Sequence, residues 1–388
     1  MDVANLISDR CHAIDASGIR RVFQLGAKLA DPINLSIGQP DFPVPDIVKA
    51  AAIESIEKNQ NGYSMTTGIP ALCRRASQHL VDDLGWPDHT GTPDSDIGLF
   101  ITSGTAGGLV LAVMAMLNPG DEIIIADPYF VMYPHVATLV GAKAVRCDTY
   151  PDFRMTAERV APLINERTKV VLANSPSNPS GVVMSQAECD ALRDLCRERG
   201  VLLISDEIYD EFVFSDARVD GRCPSPARHN DAWKDTLVVR GFGKSYGCTG
   251  WRMGYVAGPR TLTEEMAKLQ QYTFVCAPAP LQHGCLATFD ADMGPMVNDY
   301  EKRRDMVVER LGAVTNVATP GGAFYAFVEV PERLGMTATQ FCDRLLEENV
   351  LIIPGNVFSE RDTHFRLSFA TNPQKLEQGL EILARLMS

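Results

Sequence analysis

No two cysteines in this chain are separated by only two residues, so the ten cysteines offer no C-x-x-C unit for zinc or redox exchange. Thiols scattered in this way are expected to be free and buried in a reducing compartment, not to frame disulfides. No metal site is expected either. Long hydrophobic runs are also missing. The longest, Leu109–Leu117, falls far short of the roughly 20 apolar residues that a membrane helix needs. The opening segment, MDVANLISDRCHAID, lacks the continuous apolar stretch of a signal peptide, and a cytoplasmic location is expected. Positive charge is in deficit. There are 36 Lys and Arg against 49 Asp and Glu, a formal net charge of −13, which disfavours nucleic acid and anionic membranes as partners. What remains is an ordinary globular composition, 45% hydrophobic and 22% charged. At 388 residues the chain is long enough for more than one lobe.

The most informative stretch is Val238–Gly258, VVRGFGKSYGCTGWRMGYVAG. A short apolar strand leads into a turn with glycines at 241, 243, 247 and 250, and Lys244 sits among them. Two familiar readings of Gly-Lys-Ser fail. A P-loop requires glycine where Val238 stands, and the dinucleotide fingerprint is missed by one position at Gly247. A lysine poised to form a Schiff base remains, with Arg252 eight residues on as a candidate anion clamp.

The rest of the chain supplies a frame for that lysine. Residues 1–35 read as an arm or short helix, and the prolines of PDFPVPD make an extended linker. Asp46 is placed to cap the helix that follows, a second helix spans Pro70–Leu84, and residues 85–96 read as a polar loop. From Ile97 to about residue 240, apolar β-type runs alternate with helical stretches. This implies an α/β fold with a mostly parallel sheet covered by helices on both faces. From about residue 288 a long helix, the strand of PGGAFYAFVEV, the segment HFRLSFA and a closing amphipathic helix make a smaller α+β lobe. The expected organisation is residues 1–40 as an arm belonging partly to the small lobe, 41–287 as a large domain, and 288–388 as the small C-terminal domain.

In parallel sheets ligands bind outside the C-terminal ends of the strands, and the chemically interesting residues follow the strands here. Ser103, Gly104 and Thr105 open a helix, where N–H groups and the helix dipole suit a phosphate. Asp206 ends a strongly apolar strand, and a buried carboxylate needs a cation or donors. Tyr209 follows three residues later, Asn178 lies in an N-P-S-G turn, and Arg366 in the strand-like FRLSF can point into a cleft. A phosphate clamp, buried aspartate, tyrosine, asparagine and Schiff-base lysine together describe a site for pyridoxal 5'-phosphate (PLP), with the aspartate keeping the pyridine nitrogen protonated.

These motifs carry a resemblance. GQPDFPVP at 38–45, SGT at 103–105, DPYFVMYP at 127–134, NSPSNPSG at 174–181, SDEIYDEF at 205–212, KSYGCTGWRMGY at 244–255, PGGAFYAF at 320–327 and RLSFA at 366–370 are similar to those of class I/II aminotransferases of PLP fold type I. The likeness covers nearly the whole length. It implies that Lys244 holds PLP covalently and shuttles a proton, and that Asp206 pairs with the ring nitrogen. Tyr209 and Asn178 should bond the ring hydroxyl, Phe130 should stack on the ring, and Ser103, Gly104, Thr105 and Arg252 should hold the phosphate. Arg366, helped by the Gly38 amide, should bind the substrate α-carboxylate, with Asn178 alongside. Tyr63 should reach the neighbouring subunit's site in a homodimer. The implied activity moves an amino group between an L-α-amino acid and a 2-oxo acid by a ping-pong mechanism. A carbon–sulfur β-lyase and a non-catalytic sensor module are the alternatives on the same scaffold. The chain departs from the family pattern at Gly241 and Gly243, where many members carry hydroxyl residues. It departs again at Phe130, where aspartate-specific members commonly carry tryptophan.

Overall fold

The apolar runs between Ile97 and Pro259 assemble into one seven-stranded sheet, in a computed structural model that describes every residue except 17, 28, 90, 91, 93 and 94. The last four of these fall within the polar loop expected at 85–96, so that part of the expectation lies outside the described residues. With β1 reserved for Ile33–Asn34, the sheet strands are β2 (Ile97–Thr102), β3 (Glu122–Asp127), β4 (Lys143–Asp148), β5 (Thr168–Asn174), β6 (Leu202–Asp206), β7 (Thr236–Gly241) and β8 (Gly254–Pro259). Their order is β2-β8-β7-β6-β5-β3-β4. All neighbours pair in parallel except β8, which is antiparallel to both β2 and β7. Val170, Val171, Leu172, Leu203, Ile204, Leu237, Val238 and Val239 are all buried, as expected for strands covered on both faces.

The helices are bounded by local chemistry. Ser185 and Glu188 form a reciprocal capping box at the start of Gln186–Arg199, and Gly200 ends that helix at φ +64. Asp46, expected to cap its helix, stands instead in the first turn, with Pro45 at the capping position. Its carboxylate faces Lys49 at 2.7 Å, so the i,i+3 pair takes the group that a cap would have used.

A smaller sheet forms from β9 (Tyr325–Glu329), β11 (Ile353–Pro354) and β12 (His364–Ser368), with β12 in the middle and both pairings antiparallel. β1 pairs in parallel with β10 (Val350–Leu351), so the N-terminal segment joins the C-terminal part of the chain. The Ser368 amide donates to the Leu35 carbonyl at 2.7 Å and extends that junction. The consequence for function is positional: residues 36–38 run directly past Arg366. All ten cysteines carry free thiols, most of them buried. Among the described residues no helix is long and apolar enough to cross a membrane.

Candidate active site

The site is a product of strand direction. β2, β5, β6 and β7 end at Thr102, Asn174, Asp206 and Gly241 on one edge of the sheet. Because β8 runs the other way, its first residue, Gly254, pairs with both Thr102 and Gly241 at that same edge. Arg252, two residues earlier, is thereby carried to the start of the helix Gly104–Met116. A cavity of about 620 Å³ opens there, between the large sheet and β12.

Lys244 projects into this cavity from the glycine-rich turn after β7, and its Nζ donates to the Gly38 carbonyl at 2.5 Å. Burial lowers its pKa to about 8, with the Arg366 and Arg252 charges acting in the same direction. Asp206 lies on the cavity floor, 3% exposed. Its carboxylate accepts the Tyr133 hydroxyl at 2.8 Å and the Ile208 amide at 3.3 Å. Burial raises its pKa to about 6 against the pull of these two bonds. No ion pair to Asp206 occurs among the described residues, so the floor holds a buried acid that still lacks a cation. A protonated pyridine nitrogen is such a partner.

The opposite wall carries Arg366, 1% exposed. Its guanidinium lies 4.5 Å from the centre of the Tyr325 ring and 4.7 Å from that of Phe358. Nη1 donates to Asn178 Oδ1 at 3.0 Å and Nη2 to the Ser36 carbonyl at 2.9 Å, while Nε, buried, has no partner among the described residues. Tyr209 also lines the cavity. Its hydroxyl meets that of Tyr325 at 3.3 Å, and burial first, then Tyr325, raises its pKa well above the usual tyrosine value, so it remains a donor.

At the helix start, Gly104 adopts φ +72, and a Cβ there would stand 2.8 Å from Arg252 Nη2. The left-handed φ favours glycine, and its missing side chain leaves the Arg252 guanidinium close against the start of the helix, a place suited to an anion. Thr105 lines it as well, whereas Ser103 caps the helix outside the cavity lining. Gly241 has a steric reason. A Cβ there would come within 2.7 Å of Ile208 Cδ1 and 2.9 Å of Thr105 Cγ2, so these two side chains already crowd the place where a side chain would start. The buried acid without a cation, the glycine-lined anion cradle and the poised lysine fit PLP.

Phe130 lines the cavity and packs edge-on against Tyr133. Tyr63 lies apart from the cavity, 89% exposed. Sequence reasoning missed Tyr133, Tyr325 and Asn174. Asn174 donates to the Asp206 carbonyl at 2.9 Å and accepts the Asn178 amide at 2.9 Å, tying the ends of β5 and β6 to the N-P-S-G turn. All three lie in quoted motifs, but a tyrosine beside apolar neighbours gives no signal that its hydroxyl meets an acid.

The chain is similar to known proteins in sequence and in fold. Residues 30–383 match the family described as aminotransferase class I and II. A putative aminotransferase of Bacillus subtilis, YugH, is 34% identical, covering 99% of both chains. The probable aspartate aminotransferase of Methanocaldococcus jannaschii is 32% identical, covering 98% of this chain and all (100%) of that one. The solved structure of Thermus thermophilus aspartate aminotransferase with maleate superposes with a TM-score of 0.89 at 32% identity, covering 98% of this chain and 99% of that one.

Proposed function

This chain belongs to the aminotransferase class I and II family and is a PLP-dependent transaminase, and on that premise we propose that it moves an amino group between an L-α-amino acid and a 2-oxo acid in two half-reactions served by Lys244. The observation that carries this reading is the convergence of Lys244, Asp206 and Arg366 on one cavity. When bound, the cofactor supplies an electron sink for the charge left on the substrate Cα.

The chain's own groups do the rest. Lys244, with a pKa near 8, presents a free amine to a useful extent close to neutrality, and that amine takes the proton from Cα and returns it on the other side of the exchange. The Gly38 carbonyl orients its Nζ. Asp206 would keep a proton on the cofactor's pyridine nitrogen, and Tyr133 holds Asp206. Arg366 grips the α-carboxylate that every substrate of the cycle carries, and its stacking between Tyr325 and Phe358 fixes the plane of the fork. Gly104, Thr105 and Arg252 would hold the cofactor's phosphate, with Ser103 at the helix cap. Tyr209 and Asn178 would hold the cofactor's ring hydroxyl, and Phe130 would cover its ring.

The working unit in this reading is a cytoplasmic homodimer, with residues 41–287 as the large domain and the two chain ends as the small one. Tyr63, exposed on the single chain, completes the partner's site. One experiment tests the whole. The holoenzyme is mixed with an L-amino acid in the absence of acceptor, and one equivalent of 2-oxo acid and of pyridoxamine phosphate should form per site. Adding a second 2-oxo acid should restore the original spectrum. Continuous release of pyruvate and ammonia without acceptor would instead identify a carbon–sulfur lyase. An unresponsive spectrum would identify a sensor.

A further inference from the structure

We propose that the substrate side chain lies against Ile37 and Ile19, and that the enzyme takes amino acids with apolar side chains in preference to dicarboxylic ones. The inference rests on the transaminase reading above and names the substrate class of that site.

The position of Ile37 carries the argument. The segment Ser36–Gly38 touches both anchors: Arg366 Nη2 donates to the Ser36 carbonyl, and Lys244 Nζ to the Gly38 carbonyl. A substrate held with its carboxylate on Arg366 and its Cα at Lys244 therefore lies along this segment. Ile37, midway between those two contacts, lines the same cavity. Ile19 lines it too, from the helix Gly18–Gly26. That helix is a docked element. A Cβ at Gly18 would come within 2.5 Å of Val357 Cγ2, and one at Gly26 within 2.6 Å of Leu351 Cδ1. Val22 packs with Leu351, Ile353 and Phe358, and Ile19 packs against that cluster. The helix thus holds an apolar side chain at the cavity wall.

The charges point the same way. Among the described residues, the cations lining the cavity are Lys244, Arg252 and Arg366. One is needed for the amino group, one for the phosphate and one for the α-carboxylate. Arg303, behind Asp41, is tied to Asp41 at 2.8 Å and to Asp299 at 2.6 Å. Ala106 and Leu109 complete that part of the lining with no charge. Among the described residues of this chain a second carboxylate would find no free counter-ion for the hydration it loses here, whereas an aliphatic, thioether or aromatic side chain gains by leaving water.

The test is the single-turnover half-reaction of the holoenzyme with L-alanine, L-leucine, L-methionine, L-phenylalanine and L-aspartate. The last four should be ordered with every apolar donor at least tenfold above aspartate in second-order rate. Ile37→Arg and Ile19→Arg should each narrow the leucine-to-aspartate ratio by tenfold or more. Calorimetry gives a second readout independent of turnover: 4-methylpentanoate should bind the holoenzyme at least tenfold more tightly than succinate. Alanine reacting while aspartate outpaces leucine overturns the inference and leaves the transaminase reading standing. A holoenzyme that reacts with none of the five overturns both.

Discussion

Tyr133 donates its hydroxyl proton to Asp206 across 2.8 Å, from the helix Met132–Leu139 to the end of β6, and both side chains are buried. This bond offsets part of the burial penalty that drives the carboxyl pKa up to about 6. In the role proposed for it Asp206 would act as the ionised carboxylate, so Tyr133→Phe should impair activity without touching any substrate atom. Losing a buried hydrogen bond to a charge costs about 1.5–3 kcal/mol, roughly ten- to a hundredfold in kcat/KM. The acidic limb of the pH–rate profile should move to higher pH. A profile with its limb unmoved would remove Tyr133 from this role.

Asp206 also links activity to stability. Its folded pKa of about 6 exceeds the ordinary 3.8, so the cofactor-free fold binds more protons than the unfolded chain between those values. Stability therefore falls as pH rises through that window, and the penalty is fully present above it. At 1.36 kcal/mol per unit it amounts to at most about 3 kcal/mol. Asp206→Asn should stabilise the cofactor-free protein at pH 8 by about 1–3 kcal/mol, an advantage that shrinks as pH falls towards 4. The same substitution should cut transamination by orders of magnitude. Urea denaturation at several pH values decides it: a pH-independent difference would mean that Asp206 carries no raised pKa.

Arg366→Lys keeps the charge and loses the fork. It leaves Asn178 Oδ1 and the Ser36 carbonyl without their present donors. KM should rise for both amino donor and oxo acceptor, with a loss of about 2–4 kcal/mol in kcat/KM. The absorbance of the resting holoenzyme should barely change. Equal weakening towards simple amines without a carboxylate would show that Arg366 is structural.

Gly241→Ser returns the hydroxyl that many family members carry, yet it should harm this chain. Its Cβ would press on Ile208 and on the Thr105 methyl, and overpacking of this kind costs about 1–3 kcal/mol. PLP should be bound more weakly, as read by equilibrium dialysis. Tighter binding would mean that the threonine methyl gives way.

Much of this site is legible in the sequence because parallel strands deliver their following residues to one edge. SGT, NSPSNPSG, DEIYDE and GFGKS each follow a strand, so finding the strands locates the groups, and β2, β5, β6 and β7 lie where the alternation of apolar runs places them. The support behind the site is not legible. Tyr133 and Asp206 are 73 residues apart, Arg366 and Ser36 are 330 apart, and no local pattern encodes such pairs. The same holds for Gly241. Its lack of a side chain looks like a lost phosphate ligand until Ile208 and Thr105 are seen crowding the place of its Cβ. The antiparallel β8, which brings Arg252 to the start of the helix Gly104–Met116, follows from sheet order and not from any residue in it.

Lys244 is the group proposed to join cofactor and chain. The holoenzyme is reduced with borohydride, digested, and its phosphopyridoxyl peptide sequenced by mass spectrometry. The label should sit on Lys244, within GFGKSYG, at one equivalent per chain, and Lys244→Ala should yield no labelled peptide. Label on any other lysine of the wild-type chain would contradict the account at its centre.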